Sequence, residues 1–168
     1  MTKYFVISDN HGELEPMREL MHRFRHQVDY FIHCGDSEFD DRDEVFEQVL
    51  AVRGNTDFHG AFPLEIVKDS IYVAHGHQLG VRLNVEELSQ RAREMNCSIA
   101  CYGHTHILNV TEMNGVICIN PGSISLPKGP YSSLKTFCIV DVTPQHVQID
   151  YYNDEGIKID GLTRHINR

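Results

Sequence analysis

The sequence predicts an α/β protein built as a β-sandwich: two mixed sheets packed face to face, with helices on the outside. Three observations predict it. In the first third, short apolar runs at 4–8, 30–34 and 51–53 alternate with helix-patterned segments, which indicates β-α-β units and parallel strands. After residue 60 the apolar runs come in pairs around turn residues, as antiparallel hairpins do. Finally, an acid, amide or imidazole beside a glycine stands where one apolar run after another stops. At 168 residues the chain is expected to form one domain, 1–168, with a substantial core.

Residues 4–8 read as a buried strand, followed by the polar turn Asp9-Asn10-His11-Gly12. Over 13–27, Leu14, Met17, Leu20, Met21 and Phe24 recur at helical spacing. Acids open that helix and bases close it, as the helix dipole favours, and Pro16 falls in the first turn. A second strand, 30–34, ends at Gly35-Asp36, and His33 within it reads as a packed histidine. Residues 41–50 are expected to be helical, and 51–53 to be a brief strand stopped by Gly54-Asn55-Thr56-Asp57. The runs 64–67 and 71–74 flank a hairpin turn. Asn84 is expected to cap a helix over 85–95, with Glu87 completing a capping box. The run 98–102 leads into Gly103-His104-Thr105-His106. Residues 107–112 and 116–120 flank Asn114-Gly115, a strong hairpin signal. Residues 136–142 and 146–152 form a last pair, so the second half reads as mostly antiparallel.

Composition narrows the function. The charge of −9 comes without a Lys/Arg stripe, which argues against general nucleic-acid binding. No apolar run approaches bilayer length, and residues 1–8 enter a strand without a signal-peptide pattern, so no membrane role is expected. Five cysteines without a C-x-x-C pair argue against a disulfide framework and for a reducing cytoplasm. Eleven histidines are many for this length, and imidazole is the commonest side-chain metal ligand.

In α/β sheets, sites collect at the carboxyl ends of strands. Asp9, His11, Asp36, Asn55, His75, His104 and His106 all lie just past such ends. Two carboxylates, four imidazoles and an amide exceed the needs of one divalent ion and suit two, with one carboxylate bridging. On a strand His104 and His106 would face opposite ways, so the chain must turn, and Gly103 is expected to permit it. The lack of thiolates favours Mn²⁺, Fe²⁺, Co²⁺, Ni²⁺ or catalytic Zn²⁺ over a structural zinc site. Two divalent ions, two aspartates and a hydroxide leave a net charge of about one positive, which suits a phosphodiester monoanion. Paired metals about 3.5–4 Å apart are an established arrangement for displacement at phosphorus.

The order Asp9-x-His11, Gly35-Asp36, Gly54-Asn55, His75-Gly76-His77 and Gly103-His104-x-His106 resembles the calcineurin-like metallophosphoesterases. It is most similar to their small bacterial and archaeal YfcE-like phosphodiesterase branch. Asn120-Pro121-Gly122-Ser123 and Pro127-Lys128-Gly129 resemble a further signature of that branch, and the likeness covers nearly the whole chain. It implies a sandwich flanked by helices and two divalent ions, Mn²⁺ foremost. The first ion would take Asp9, His11 and His106, the second Asn55, His75 and His104, with Asp36 bridging. A metal-bridging hydroxide would attack phosphorus.

One position departs from the pattern. Many relatives carry a histidine after the motif asparagine, where it can assist the leaving group; here it is Thr56. His77 is the candidate substitute, against a role supporting its neighbour His75. Asn55 and Lys128 are candidates to contact substrate phosphate. Asp57 is expected to bond the Asn55 loop or cap the next segment, while His22, His26, His146 and His165 read as surface residues. The rival reading is a scaffold such as retromer's metallophosphoesterase-like subunit, and the retained His11 and Asp36 favour catalysis. The partner implied is a small diester. A homodimer or larger assembly using the apolar stretch 58–64 is weighed against a monomer.

Overall fold

A computed structural model describes residues 1–58 and 60–168; His59, to which the sequence assigns no role, lies outside them. The first sheet contains β1 (Thr2–Ile7), β2 (Tyr30–His33), β3 (Val49–Ala51), β9 (Thr136–Val142), β10 (His146–Asn153) and β11 (Arg164–Asn167), in the order β11-β10-β9-β1-β2-β3. The second contains β4 (Glu65–Lys68), β5 (Ile71–Ala74), β6 (Ile99–Cys101), β7 (Asn109–Met113) and β8 (Val116–Asn120), in the order β4-β5-β6-β8-β7. Helix α1 (Leu14–Phe24) covers the outer face of the first sheet, and α2 (Glu86–Glu94) that of the second. This is the sandwich flanked by helices that the sequence predicts.

The layers follow from the two-residue period of a strand. On β1, Tyr4 and Val6 enter the core between the sheets, while Phe5 and Ile7 pack with Met17, Leu20 and Phe24 of α1. On β5, Ile71 and Val73 face the inter-sheet core, whereas Tyr72 and Ala74 pack with Leu88 and Ala92 of α2. Strands buried on both faces must be apolar throughout, which is why these runs show no alternation.

Several elements differ from expectation. The helix expected over 41–50 is only a 3₁₀ turn at Glu44–Glu47, and Val49–Ala51 is strand instead. Val49 and Ala51 are buried with Leu50 exposed between them, a period of two. Asp43 caps the turn by accepting from the Val45 N–H and also binds Arg18 through both carboxylate oxygens, at 3.0 and 2.8 Å. Asn84 accepts from the Glu86 N–H at 3.0 Å, but Glu87 returns no bond. The Asn84 N–H that a capping box would use is already given to the Gly80 carbonyl. The second half is less antiparallel than expected, since β5, β6 and β8 run parallel. Strand β11 is not apparent in the sequence because Ile166 is its one buried residue.

Candidate metal centre

The parallel strands β1, β2 and β3 of one sheet and β5 and β6 of the other end on the same side of the sandwich. Their following loops bring together every residue that the sequence singles out for metal binding. Two groups form: Asp9, His11 and His106, and Asp36, His75 and His104, each with ligand atoms within 4.8 Å of one another. Asn55 joins the second group, its Oδ1 lying 3.1 Å from His75 Nε2 and 3.0 Å from His104 Nδ1.

Two carboxylate oxygens lie between the groups. Asp36 Oδ2 is 3.1 Å from His75 Nε2 and 3.9 Å from His11 Nε2. Asp9 Oδ1 is 3.3 Å from His106 Nε2, 3.8 Å from His11 Nε2 and 3.9 Å from His75 Nε2. Asp36 Oδ1 is occupied by the Thr56 N–H at 2.9 Å, which leaves Oδ2 free for the site.

The imidazoles are oriented from behind. His75 Nδ1–H donates to the Cys34 carbonyl and His106 Nδ1–H to the Leu126 carbonyl, each at 2.7 Å. Both Nε2 atoms are therefore unprotonated in the neutral rings and face the carboxylates, as metal-ligating histidines require. His11 Nε2 and His106 Nε2 face each other 3.1 Å apart.

Backbone conformation does what the sequence assigns to Gly103. Asp9, His11, Asp36, Glu38, His104 and His106 all have positive φ, between 45° and 70°. Left-handed residues at alternate positions turn both members of Asp9-x-His11 and of His104-x-His106 to the same side, where His106 joins the first group and His104 the second. Gly103 is not left-handed; a Cβ there would collide with Ser8 Oγ and Asp9 Oδ2, so its role is close approach.

The loops are bonded to one another. Asp9 N–H donates to the Gly35 carbonyl, His11 N–H to Asp36 and Gly12 N–H to Ser37. Asp57 accepts from the N–H groups of Asp36 at 2.8 Å, Gly54 at 2.7 Å and Glu38 at 2.9 Å, so it bonds the Asn55 loop to the Asp36 loop and caps nothing downstream. Ser123 and Ser125 both donate to the Asp9 carbonyl, and Asn120 donates to the Gly103 carbonyl, which gives the Asn-Pro-Gly-Ser signature a structural task. Buried His33 accepts from the Gly35 N–H through Nδ1 and donates through Nε2 to Asn10 Oδ1 at 2.8 Å, so it is a packed residue linking two ligand loops.

The charges respond as a metal site would. Burial pushes the Asp36 carboxyl up, but the His75 imidazole and the Thr56 N–H outweigh it and hold Asp36 well below the usual range. Burial lowers the pKa of His75, and Asp36 and Asp9 more than offset it. The Asp9 carboxylate raises that of His106. His104 is pushed down to about 4 by burial, by His75 and by Arg82, whose Nε–H donates to His104 Nε2 at 3.0 Å. Among the described residues, Asp9 Oδ1 is buried yet makes no hydrogen bond. A sealed, unpartnered carboxylate oxygen facing three imidazole nitrogens fits a cation. An all-N/O donor set fits a hard or borderline divalent ion.

Comparison with known proteins supplies the family. Residues 3–145 match the calcineurin-like phosphoesterase superfamily domain. The chain belongs to that superfamily. It is 33% identical over 165 residues to the probable metallophosphoesterase YsnB of Bacillus subtilis (strain 168), covering 96% of each chain. A predicted phosphoesterase from Streptococcus pneumoniae TIGR4, of known crystal structure, superposes with a TM-score of 0.93 at 28% identity, covering 99% of this chain and 98% of that one. Wild-type Vps29 from Entamoeba histolytica, solved in complex with zinc, superposes at 0.73 with 20% identity, covering 99% and 98%, a likeness of fold alone.

Other candidates of this calcineurin-like phosphoesterase stand at the rim. His77 is half-buried, its ring centroid 5.4 Å from that of His75 and 6.2 Å from that of His104. Burial and His75 lower its pKa. Lys128 is exposed, its N–H donates to the His106 carbonyl at 2.9 Å, and its charge opposes protonation of His106. Sequence reasoning missed Arg82, Glu38, Ser8 and Asn10. None carries a motif signal: Arg82, Glu38 and Asn10 act through contacts with distant segments, at His104, His11 and His33, and Ser8 through a hydroxyl that donates to its neighbour Asp9.

Proposed function

We propose that this protein is a two-metal phosphodiesterase acting on a small substrate. The observation that carries the reading is the pair of adjoining ligand groups with Asp9 Oδ1 and Asp36 Oδ2 between them. Asp9, His11 and His106 would hold one divalent ion, and Asn55, His75 and His104 the other, with Asp36 shared. Mn²⁺ is the ion we assign first, ahead of Ni²⁺, Co²⁺, Fe²⁺ and Zn²⁺. When bound, such ions supply Lewis-acid stabilisation of charge at phosphorus and lower the pKa of coordinated water.

The chain's own groups do the rest. Lys128 and Arg82 place cations beside His106 and His104, where they attract the anionic ester and orient it. Asn55, exposed and facing His75 and His104 through Oδ1, would also contact the substrate phosphate. Thr56 offers a hydroxyl too weakly acidic to protonate a leaving alkoxide. His77 is the remaining imidazole at the rim, and being neutral at neutral pH it gives the leaving oxygen a hydrogen bond rather than a full proton. Turnover therefore favours activated leaving groups. Five buried, unpaired cysteines agree with a reducing cytoplasm as the working compartment.

The reading is tested by phosphodiester hydrolysis in chelator-stripped protein with single divalent ions restored. Activity that follows metal content supports it. A folded protein that binds metal and cleaves no ester would favour the scaffold role.

A further inference from the structure

Beside the metal centre a cleft of about 360 Å³ opens between β4, β5 and α2, walled by Leu64, Ala74, His77, Gln78 and Leu79. The cleft adjoins the candidate centre through His77, which lines it and whose ring centroid lies 5.4 Å from that of His75 and 6.2 Å from that of His104. Its volume sits at the small end of the roughly 300–1,000 Å³ typical of small-molecule sites, room for one compact group.

The lining chemistry limits what that group can be. Its charged side chains are already paired: Arg91 Nε–H and the Tyr72 hydroxyl donate to Glu65 Oε2 at 3.0 and 2.7 Å, and Arg91 Nη2 donates to Glu65 Oε1. Arg91 Nη1 is held by Glu94 at 2.9 Å. Arg91 and Glu65 thus largely neutralise each other, so the lining offers no lone charge to a second phosphate or to an amine. What remains is apolar surface from Leu64, Leu79 and Ala74, the face of the His77 ring, and the Gln78 amide, which makes no hydrogen bond among the described residues.

Resting on the phosphoesterase reading above, we propose that this cleft seats one alcohol substituent of the ester and selects an uncharged, ring-bearing group of aryl to nucleoside size. A flat ring buries its faces against Leu64, Leu79 and His77, and Gln78 hydrogen-bonds its edge. Substituents carrying their own phosphate or ammonium are disfavoured, because they would lose hydration without gaining a partner.

The test follows the protein's own magnetic-resonance signals, with Zn²⁺ in the buffer. The methyl resonances of Leu64, Ala74 and Leu79 and the ring signals of His104 and His106 are followed on adding phenyl phosphate, inorganic phosphate or pyrophosphate. The expected result is that all three anions perturb the histidines. Only phenyl phosphate should shift the methyls, binding about tenfold more tightly than inorganic phosphate. Leu64→Arg, at an exposed position, should remove most of that difference, as should Leu79→Ala. Histidine shifts with unmoved methyls and equal affinities would overturn the inference and leave the phosphoesterase reading standing. If no anion perturbs His104 and His106, the phosphoesterase reading fails and the inference falls with it.

Discussion

Left-handed φ at Asp9, His11, Asp36, Glu38, His104 and His106 stores strain of about 1–3 kcal/mol per residue. It persists because neighbouring loops hold each turn in place. The ligand types were legible in the sequence, since acids, an amide and imidazoles after apolar runs are chemically conspicuous. The device that aims them was not, because nothing in Asp-x-His or His-x-His announces left-handed backbone. Gly103 drew attention for flexibility when its task is room for Ser8 and Asp9. Gly103→Ala should therefore lower stability by about 1–3 kcal/mol and reduce metal content, measured by denaturant titration and elemental analysis. A normal midpoint with full metal would refute the close-approach argument. His33 offers a second residue-scale prediction. Burial pushes its pKa down to about 4 from 6.5. The unfolded chain then binds the extra proton first, so this contribution is complete above about pH 6.5 and is lost as pH falls toward about 4. In chelator-treated protein, the stability difference between wild type and His33→Gln should shrink across that window. A difference independent of pH would contradict the neutral His33 link to Asn10. His77→Ala should slow diesters of alkyl alcohols far more than p-nitrophenyl esters; equal effects on both would remove it from the leaving-group side.

At the scale of elements, the site depends on loops tied across two sheets. Strands β1, β5, β8, β9 and β10 were readable because burial on both faces, or a definite turn signal, leaves a strong pattern. The 41–50 segment misled because charged residues around Val45 and Phe46 mimic a helical face over too short a span, and Val49 completes a strand beside β2. Asp57 could not be assigned from sequence because its donors lie on the Asp36 and Gly54 loops. Asp57→Ala leaves three backbone N–H groups without their acceptor, at Asp36, Glu38 and Gly54. The expected cost is about 2 kcal/mol, with weaker occupancy of the Asp36, His75 and His104 group, read by denaturation and metal titration. Wild-type stability in that variant would mean that the two loops hold each other without the carboxylate.

For the whole molecule, the argument turns on a local charge opposite to the global one. The chain carries −9, yet Arg82, Lys128 and bound divalent ions would make the site attractive to an anionic ester. The same sandwich serves proteins named for trafficking as well as phosphoesterases, so fold alone does not choose between catalyst and scaffold. Under the proposed reading the complete ligand set favours the catalyst, and His104 is the member to test because its ring meets Asn55 Oδ1 and Arg82 Nε through its two nitrogens. The deciding measurement is hydrolysis of bis-p-nitrophenyl phosphate by chelator-stripped protein, with and without restored Mn²⁺, beside His104→Ala under the same conditions. The account predicts that activity returns with the metal and falls by at least about a hundredfold in the variant. A folded wild-type protein that stays inactive with every divalent ion tried, or a His104→Ala variant as active as wild type, would contradict it.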